Sequence, residues 1–251
     1  MFARLLILLY AIVSYGVFLV SFLYGLGFFS NAFVPKSIDV GGDPTQLSEA
    51  VAVNLLLLGI FAIQHSIMAR PIFKQWWAKI LPMALQRSTY VLLSSLILLL
   101  LFWQWRPIPA VVWKIDGIAG SLLVVVYWLG WLLALTSTYL IDHFELFGLR
   151  QVYLALRGAK DPGQEFKTPL LYKIVRHPLM LGFLLAFWAT SEMTAGHLLF
   201  AITITLYILV GVHFEERDLI AQFGSTYRQY RQRVPMLLPR IFGRSKQGAT
   251  R

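Results

Sequence analysis

The sequence predicts an all-α membrane protein, a polytopic bundle of five to six transmembrane helices with a polar site on one face and an amphipathic helix near the C-terminus. Three observations predict it. Of 251 residues, 58% are hydrophobic and 14% charged, whereas soluble domains carry roughly 25% charged residues, so the charges are too few to cover a water-facing surface. Six apolar runs approach the roughly 20 residues that a hydrocarbon core requires. Lysines and arginines gather in alternate connections between those runs, as the positive-inside rule demands.

The runs are Leu5 to Phe29, Leu47 to Met68, Thr89 to Trp105, Ile118 to Ile141, and a tighter pair, Tyr172 to Ala189 and His197 to Val212. The first is too long for a signal-peptide core and lacks a small-residue cleavage site, so it reads as a retained span. The last two are short enough to form a hairpin with its tip at Ser191 to Gly196; a re-entrant or tilted unit there lowers the count from six to five. Nineteen of the 22 basic residues fall on one side, leaving Lys36, Arg106 and Lys114 for the other. Both termini are therefore expected in the cytoplasm. The net charge of +10 sits beside apolar runs, where it suits anionic lipid head groups. No zinc finger, RNA-binding aromatic pattern or nucleotide loop accompanies it, so membrane lipids rather than nucleic acid are the expected partner.

The chain reads as a single domain: spans over 5–141, a connector over 142–171, and a hairpin with its tail over 172–240. The connector is too polar to span a membrane and too apolar to be disordered. In the tail, Leu219, Ile220, Phe223, Tyr227 and Tyr230 recur at helical spacing after Glu215, which predicts an amphipathic helix broken near Pro235. With no cysteine present, disulfides, thiolate nucleophiles and thiolate metal sites are excluded. No two of the five histidines have the i, i+3 or i, i+4 spacing of a helix-borne zinc site, and no metal is expected.

Ionisable residues beside spans are costly unless they face a cavity or a partner, and four clusters qualify. Arg176-His177-Pro178 opens the fifth run, where proline suits a first helical turn and free backbone N–H groups attract anions; a plain interfacial anchor is the alternative. Glu215-Glu216 follows the sixth run, and a hairpin returns these carboxylates to Arg176 and His177. Adjacent carboxylates point about 100° apart, so one faces the pocket while the other faces solvent or pairs with a base. In Tyr139 to Gln151, Asp142 and Glu145 share a helix face, His143 lies on another, and Gly148 ends the helix. The acids suit a base, a hydroxyl acceptor or a partner for Arg150. Gln64 and His65 in the second run, with Arg87 and Tyr90 opening the third, reach the same face; interhelical hydrogen bonding is the alternative reading.

The elements Arg176-His177-Pro178-Leu179-Met180-Leu181-Gly182 and Glu215-Glu216, Leu219, Phe223-Gly224, Tyr227, Tyr230 and Val234-Pro235 resemble the RHPxYxG and EExxL…FGxxYxxY pattern of the isoprenylcysteine carboxyl methyltransferase and phospholipid methyltransferase group. Segments 34–39, 61–77, 86–92, 137–151, 175–190 and 193–201 resemble a narrower family, the bacterial membrane-bound methanethiol S-methyltransferases. The resemblance implies methyl transfer from S-adenosylmethionine to methanethiol by direct displacement, giving dimethyl sulfide, at a cytoplasmic-side cofactor site in the inner membrane. It implies a cofactor site of Arg176, His177, Pro178, Gly182, Glu215, Glu216, Tyr227 and Tyr230. The thiol end falls to Asp142, His143 and Tyr139 as catalytic candidates, with substrate contacts from His65, Gln64, Arg87, Tyr90, Phe144, Phe147, Trp131 and Leu181. The alternatives are a methyltransferase of the same architecture acting on a prenyl-cysteine carboxylate or a phospholipid amine, and a non-enzymatic accessory protein like denitrification-associated relatives that share the Arg-His-Pro element.

Overall fold

The computed structural model of the chain describes residues 2–42, 45–159, 163 and 165–239. Lys160 and Pro162 of the connector, and the tail from Arg240 with its four basic residues, lie outside the described residues. In order, the elements are α1 (Phe2–Ser30), α2 (Leu47–Ala69), α3 (Pro71–Trp77), α4 (Met83–Gln104), β1 (Val111–Lys114), α5 (Gly117–Ile141), α6 (His143–Leu146), α7 (Leu149–Arg157), a 3₁₀ turn (Leu170–Lys173), α8 (Pro178–Trp188), β2 (Glu192–Thr194), α9 (Ala195–Phe223) and α10 (Ser225–Arg233). Among the described residues, α1, α2, α4, α5 and α9 are long and apolar enough to cross a membrane.

The fifth apolar run is not a long span. Its helix, α8, begins at Pro178, whose missing N–H costs nothing in a first turn, and stops after 11 residues. At 1.5 Å per residue it covers about 16 Å of a hydrocarbon core of about 30 Å. Extended chain completes the return: β2 pairs antiparallel with β1 at the far end of the bundle, Val111 opposite Thr194 and Lys114 opposite Glu192. The arrangement is thus the five-span alternative with a short sixth helix buried inside it.

Close backbone approach holds α8 against α5. A Cβ on Gly130 would stand 2.7 Å from the Ala186 nitrogen and the Gly182 carbonyl oxygen, and one on Gly182 would stand 2.6 Å from the Ala134 nitrogen and the Gly130 oxygen. Only glycine permits this contact, and it places the start of α8 alongside the last turns of α5. Tyr172, just ahead of α8, donates its hydroxyl to the Ser137 carbonyl at 3.4 Å. Around this pair the core is aromatic: Phe29 packs on Phe200 with ring centres 4.6 Å apart and on Phe187 at 4.8 Å.

Two ends of the bundle differ in chemistry. At the far end the loop after α1 folds inward, burying Ile38, whose N–H donates to the Phe28 carbonyl and whose carbonyl accepts from Trp105 Nε1, both at 3.0 Å. The Thr194 hydroxyl donates to Asp39 there. Lys36, Arg106 and Lys114 all lie at this end, Lys36 donating to the Trp103 carbonyl and Lys114 pairing with Glu192 at 2.7 Å. At the other end meet the start of α1, the end of α2, the start of α4, the end of α5 and the end of α9, tied by Arg4 to the Leu156 carbonyl, Arg87 to the Leu146 carbonyl and Arg70 to Asp218.

The amphipathic tail is two helices rather than one. Gly224, at φ 58°, interrupts the helical run, so α9 ends at Phe223 and α10 starts at Ser225. The break turns α10 back under the bundle and ends at Val234, ahead of Pro235.

Gly130→Leu forces the α5–α8 contact apart and lowers stability by about 1–3 kcal/mol. Gly59→Ala, whose Cβ meets nothing within 4 Å, leaves it unchanged or raised. Thermal unfolding of the two variants in the same detergent measures the difference.

Candidate functional site

Two polar groups meet at the end of the bundle where the basic residues gather. The first is a buried ion cluster. Arg176 and Glu216 are each 10% exposed, with Arg176 Nε 2.7 Å from Glu216 Oε1. The same oxygen accepts from His177 Nε2 at 3.1 Å. Arg176 Nη1 donates to the Arg231 carbonyl at 2.9 Å and to the Val234 carbonyl at 2.6 Å. Extended chain after α10 completes the tie, as the N–H groups of Arg176 and His177 donate to the carbonyls of Pro235 and Met236. Arg176, expected to hold an anionic ligand, therefore commits two of its three guanidinium nitrogens to Glu216 and the tail.

Glu215 behaves differently from its neighbour. Its side chain is 49% exposed and its Oε2 lies 3.6 Å from His177 Nδ1, so His177 stands between the two carboxylates. This is the divergence expected of adjacent helical residues: Glu216 buried with a base, Glu215 turned to the opening. Pro178 and Gly182 are buried in the α8 start and the α5 contact. Tyr227 packs edge-on to Phe166 at 5.8 Å and to Tyr230 at 5.7 Å. Tyr230 donates to the Tyr172 carbonyl at 2.5 Å. Burial raises the phenol pKa of Tyr230 to about 12, Arg176 pulling it back in part and Glu216 pushing it up. Burial raises Tyr227 and Tyr172 as well, so all three phenols stay protonated; Tyr230 and Tyr172 donate to carbonyls, while the buried Tyr227 hydroxyl meets no hydrogen-bond partner among the described residues.

The second group lines a cavity of about 590 Å³, within the ~300–1,000 Å³ typical of small-molecule sites. One wall is α3, with Phe73, Lys74 and Trp77; a second is the start of α4, with Arg87 and Tyr90; a third is the end of α5 with α6 and α7, presenting Asp142, Glu145 and Gln151. Cations thus stand on two walls and acids on the third. Asp142 caps α6 by accepting from the Glu145 N–H at 2.9 Å. Arg150 Nη1 bridges both acids, at 2.6 Å from Asp142 and 2.7 Å from Glu145, which is the Arg150 partnership among the roles open to them. Arg87 donates Nε to the Leu146 carbonyl at 2.7 Å and lies over the Tyr90 ring at 5.2 Å.

Behind Tyr90 runs a hydrogen-bonded chain. Its hydroxyl is 2.8 Å from His65 Nε2. His65 Nδ1 is 3.3 Å from Ser94 Oγ, which donates to Gln64 Oε1 at 3.3 Å. The Tyr90 hydroxyl also lies 3.1 Å from His65 Nδ1; with the Ser94 proton directed to Gln64, the tautomer protonated on Nδ1 lets Ser94 accept there and leaves Nε2, the ring nitrogen nearer Tyr90, to accept from it. The candidates Gln64, His65, Arg87 and Tyr90 are therefore brought together, Arg87 and Tyr90 in the wall and the other two behind it.

His143 and its companions are placed elsewhere. The ring is buried between α1 and α5, with Nε2 2.8 Å from the Tyr15 hydroxyl and Nδ1 2.8 Å from Thr138 Oγ1, and it stacks on Tyr139 at 4.1 Å. It is not among the cavity walls. Phe147 stacks on Phe18 of α1 at 3.9 Å, Phe144 is exposed beside Tyr153, and Trp131 is buried in the aromatic core against Phe22 and Phe183. The expected apolar slot of Phe144, Phe147, Trp131 and Leu181 is thus not assembled at the cavity. What the sequence did not reveal is Lys74, Trp77 and Gln151 as wall residues, since each belongs to a short helix whose packing no periodicity reports. Among the described residues, no group of three or more His, Cys, Asp or Glu is arranged to hold a metal ion.

Comparison with known proteins gives concordant relatives. A family model described as NnrU protein matches residues 54–239. Methanethiol S-methyltransferase 2 of Bradyrhizobium diazoefficiens is 72% identical over 246 residues, covering 98% of this chain and 95% of the relative. Methanethiol S-methyltransferase of Mycobacterium tuberculosis is 56% identical over 237 residues, 94% of this chain and 97% of the relative. Methanethiol S-methyltransferase 1 of B. diazoefficiens is 57% identical over 232 residues, 92% and 81% respectively. No solved structure matches the chain.

Two expected outcomes follow from the buried groups. Glu216→Ala leaves Arg176 buried without its counter-charge and costs about 3–5 kcal/mol, whereas Glu215→Ala, at a half-exposed position, costs far less; chemical denaturation of both in detergent separates them. Burial holds the His143 imidazole below its usual 6.5, Asp142 offsetting this only in part. The unfolded chain therefore takes up the proton first, so the stability tied to neutral His143 is complete above pH 6.5 and falls as acidification passes through the folded value. His143→Gln flattens that acid limb of the stability curve.

Proposed function

The chain belongs to the NnrU family and to its methanethiol S-methyltransferases, it is a methyltransferase, and we propose that it methylates methanethiol to dimethyl sulfide with S-adenosylmethionine as donor, by direct displacement, at the cavity between α3, α4 and α6. The observation that carries the reading is the cavity itself, with cations on two walls, acids on a third and aromatic rings between them. That donor set suits a zwitterionic ligand bearing a ribose and an aromatic base. Two orphaned polar atoms of wall residues also fit: the Trp77 indole N–H and Gln151 Oε1 are buried with no hydrogen-bond partner among the described residues.

When bound, S-adenosylmethionine supplies an electrophilic methyl group on a sulfonium. The protein's part is to bind, orient and exclude water. Arg87 and Lys74 suit a carboxylate, Asp142 and Glu145 suit ribose hydroxyls or an ammonium, and the rings of Trp77 and Phe73 offer flat surfaces to a base. Glu215 and His177 border the same region, since Glu215 lies within electrostatic reach of Tyr90 as well as of Tyr172. We assign Arg176 and Glu216 to the frame beneath: their ion pair holds His177 and Glu215 at the rim. Methanethiol offers few atoms and thus little binding energy of its own, so its positioning rests on a donor already in place.

A closed, dry site also favours the chemistry. A sulfonium and a thiolate lose their charges as the methyl group passes, so removing water disfavours the separated ions more than the transition state. The expected location is the bacterial inner membrane, with this end of the bundle facing the cytoplasm, where the donor is made.

The detergent-purified protein, given S-adenosylmethionine and a panel of thiols, releases dimethyl sulfide into the headspace from methanethiol, and a prenyl-cysteine or a phospholipid amine is left unmethylated. Calorimetry finds donor binding lost in Glu215→Ala. Asp142→Asn weakens donor binding as well, because its carboxylate is assigned to the donor's ribose or ammonium. Donor binding unchanged in Glu215→Ala removes that residue from the donor site, and methylation of the lipid acceptor alone overturns the choice of substrate.

A further inference from the structure

Methyl transfer from a neutral thiol leaves a proton behind, and the thiolate rather than the thiol is the nucleophile. Something at the cavity has to accept that proton. Asp142 and Glu145 are both engaged by Arg150, and His143 has both ring nitrogens occupied and lies outside the cavity walls. The remaining wall group joined to a neutral base is Tyr90, whose hydroxyl meets His65 Nε2 at 2.8 Å.

We propose, resting on the function assigned above, that Tyr90 is a catalytic residue that takes the thiol proton, with His65 as the base acting through it. The S–H bond breaks as the proton passes to the Tyr90 oxygen, while the original Tyr90 O–H proton passes to His65 Nε2. The electron pair freed on sulfur forms the new S–C bond to the donor's methyl group as the donor's own S–CH3 bond breaks, that bond's electrons staying on the donor sulfur, which leaves as the neutral thioether of S-adenosylhomocysteine. Tyr90 ends neutral and His65 ends as an imidazolium, which returns its proton to water through Tyr90 once the products leave.

The surroundings suit that transfer. The Ser94 hydroxyl, directed to Gln64, can accept from Nδ1–H, and that tautomer leaves Nε2 free to act as base; Nε2 is also the ring nitrogen nearer the Tyr90 hydroxyl, at 2.8 Å against 3.1 Å for Nδ1. Phe61 stacks on the imidazole with ring centres 5.1 Å apart, holding its plane. The charged and titratable groups facing Tyr90 are Arg87 of its own helix, Arg70 at the end of α2, and Tyr207 and Glu215 of α9. The Arg87 guanidinium over the Tyr90 ring stabilises negative charge on the phenol oxygen during transfer. A hydrogen bond made for helix packing alone needs none of this alignment toward a cavity wall.

The test compares methanethiol with methaneselenol, a stronger acid that is already ionised at neutral pH. Tyr90→Phe lowers kcat for methanethiol by about 10²–10⁴-fold, the range of general base catalysis, with donor affinity by calorimetry unchanged. The defect shrinks as pH rises and the free thiolate becomes abundant, and methaneselenol is turned over at close to the unmutated rate. His65→Gln gives the same pattern and serves where Tyr90→Phe folds poorly. Equal slowing of both substrates at every pH, or loss of donor affinity in step with kcat, assigns the pair to structure and overturns the proposal. The selenol-spared pattern appearing in Lys74→Met instead moves the base to Lys74 and overturns it equally. If unmutated protein methylates neither substrate, the underlying assignment of function fails, and the proton role falls with it.

Discussion

Arg176 is the side chain that joins four pieces of chain at one point. Its guanidinium binds Glu216 of α9 and the carbonyls of Arg231 and Val234 around the end of α10, while its own N–H, at the approach to α8, donates to Pro235. A charge this deeply buried is tolerated only when paired and hydrogen-bonded, so these partners have to arrive together. The approach to α8, the last turns of α9 and the return of the tail thus meet at one guanidinium. His177 and Glu215 take their places from the same tie, one beneath Glu216 and the other beside it at the rim.

The glycine contact between α5 and α8 sets the depth at which this happens. Because Gly130 and Gly182 let the two backbones touch, the start of α8 lies along the last turns of α5 instead of at its tip. The cluster therefore sits beside the last turns of α5, and the neighbouring cavity is walled by the start of α4 and the short helices α3, α6 and α7. The far end is closed by Ile38, Trp105 and the β1–β2 pair, and the polar residues at the opposite end are the ones with space beside them. Closure at one end and a cavity at the other give the bundle a single working face.

Much of this was legible along the chain. Apolar length located the five spans, with α4 beginning six residues before its apolar run and α9 continuing to Phe223, eleven residues past Val212, because hydrocarbon thickness imposes a length that local sequence has to meet. The pairing of Arg176 and His177 with adjacent glutamates followed from a hairpin and the 100° step of a helix. Gln64, His65, Arg87 and Tyr90 were legible as a polar set because such residues are rare in spans. Less legible were the partners. His143 is the one histidine of its connector, yet its ring turns toward Tyr15 of α1, 128 residues away, and no local pattern encodes which neighbour a side chain meets. Trp131, Phe144 and Phe147 look alike as apolar residues near a polar stretch, and the fold sends one to the core, one to the surface and one against α1.

The amino-acid sequence by itself determined that the protein is a helical membrane bundle, where its long spans lie and, through resemblance carried by its motifs, the methyltransferase family to which it belongs. These properties are local: composition, hydrophobic length and motif spacing are read residue by residue. Only the tertiary structure decided that the fifth apolar run is a short helix packed on α5, that the amphipathic tail bends at Gly224, that Arg176 pairs with Glu216 and the tail, and that Tyr90, backed by His65, rather than His143, lines the cavity. Each depends on contacts between residues far apart in the chain, and those are settled by backbone approach and by the need to pair every buried charge.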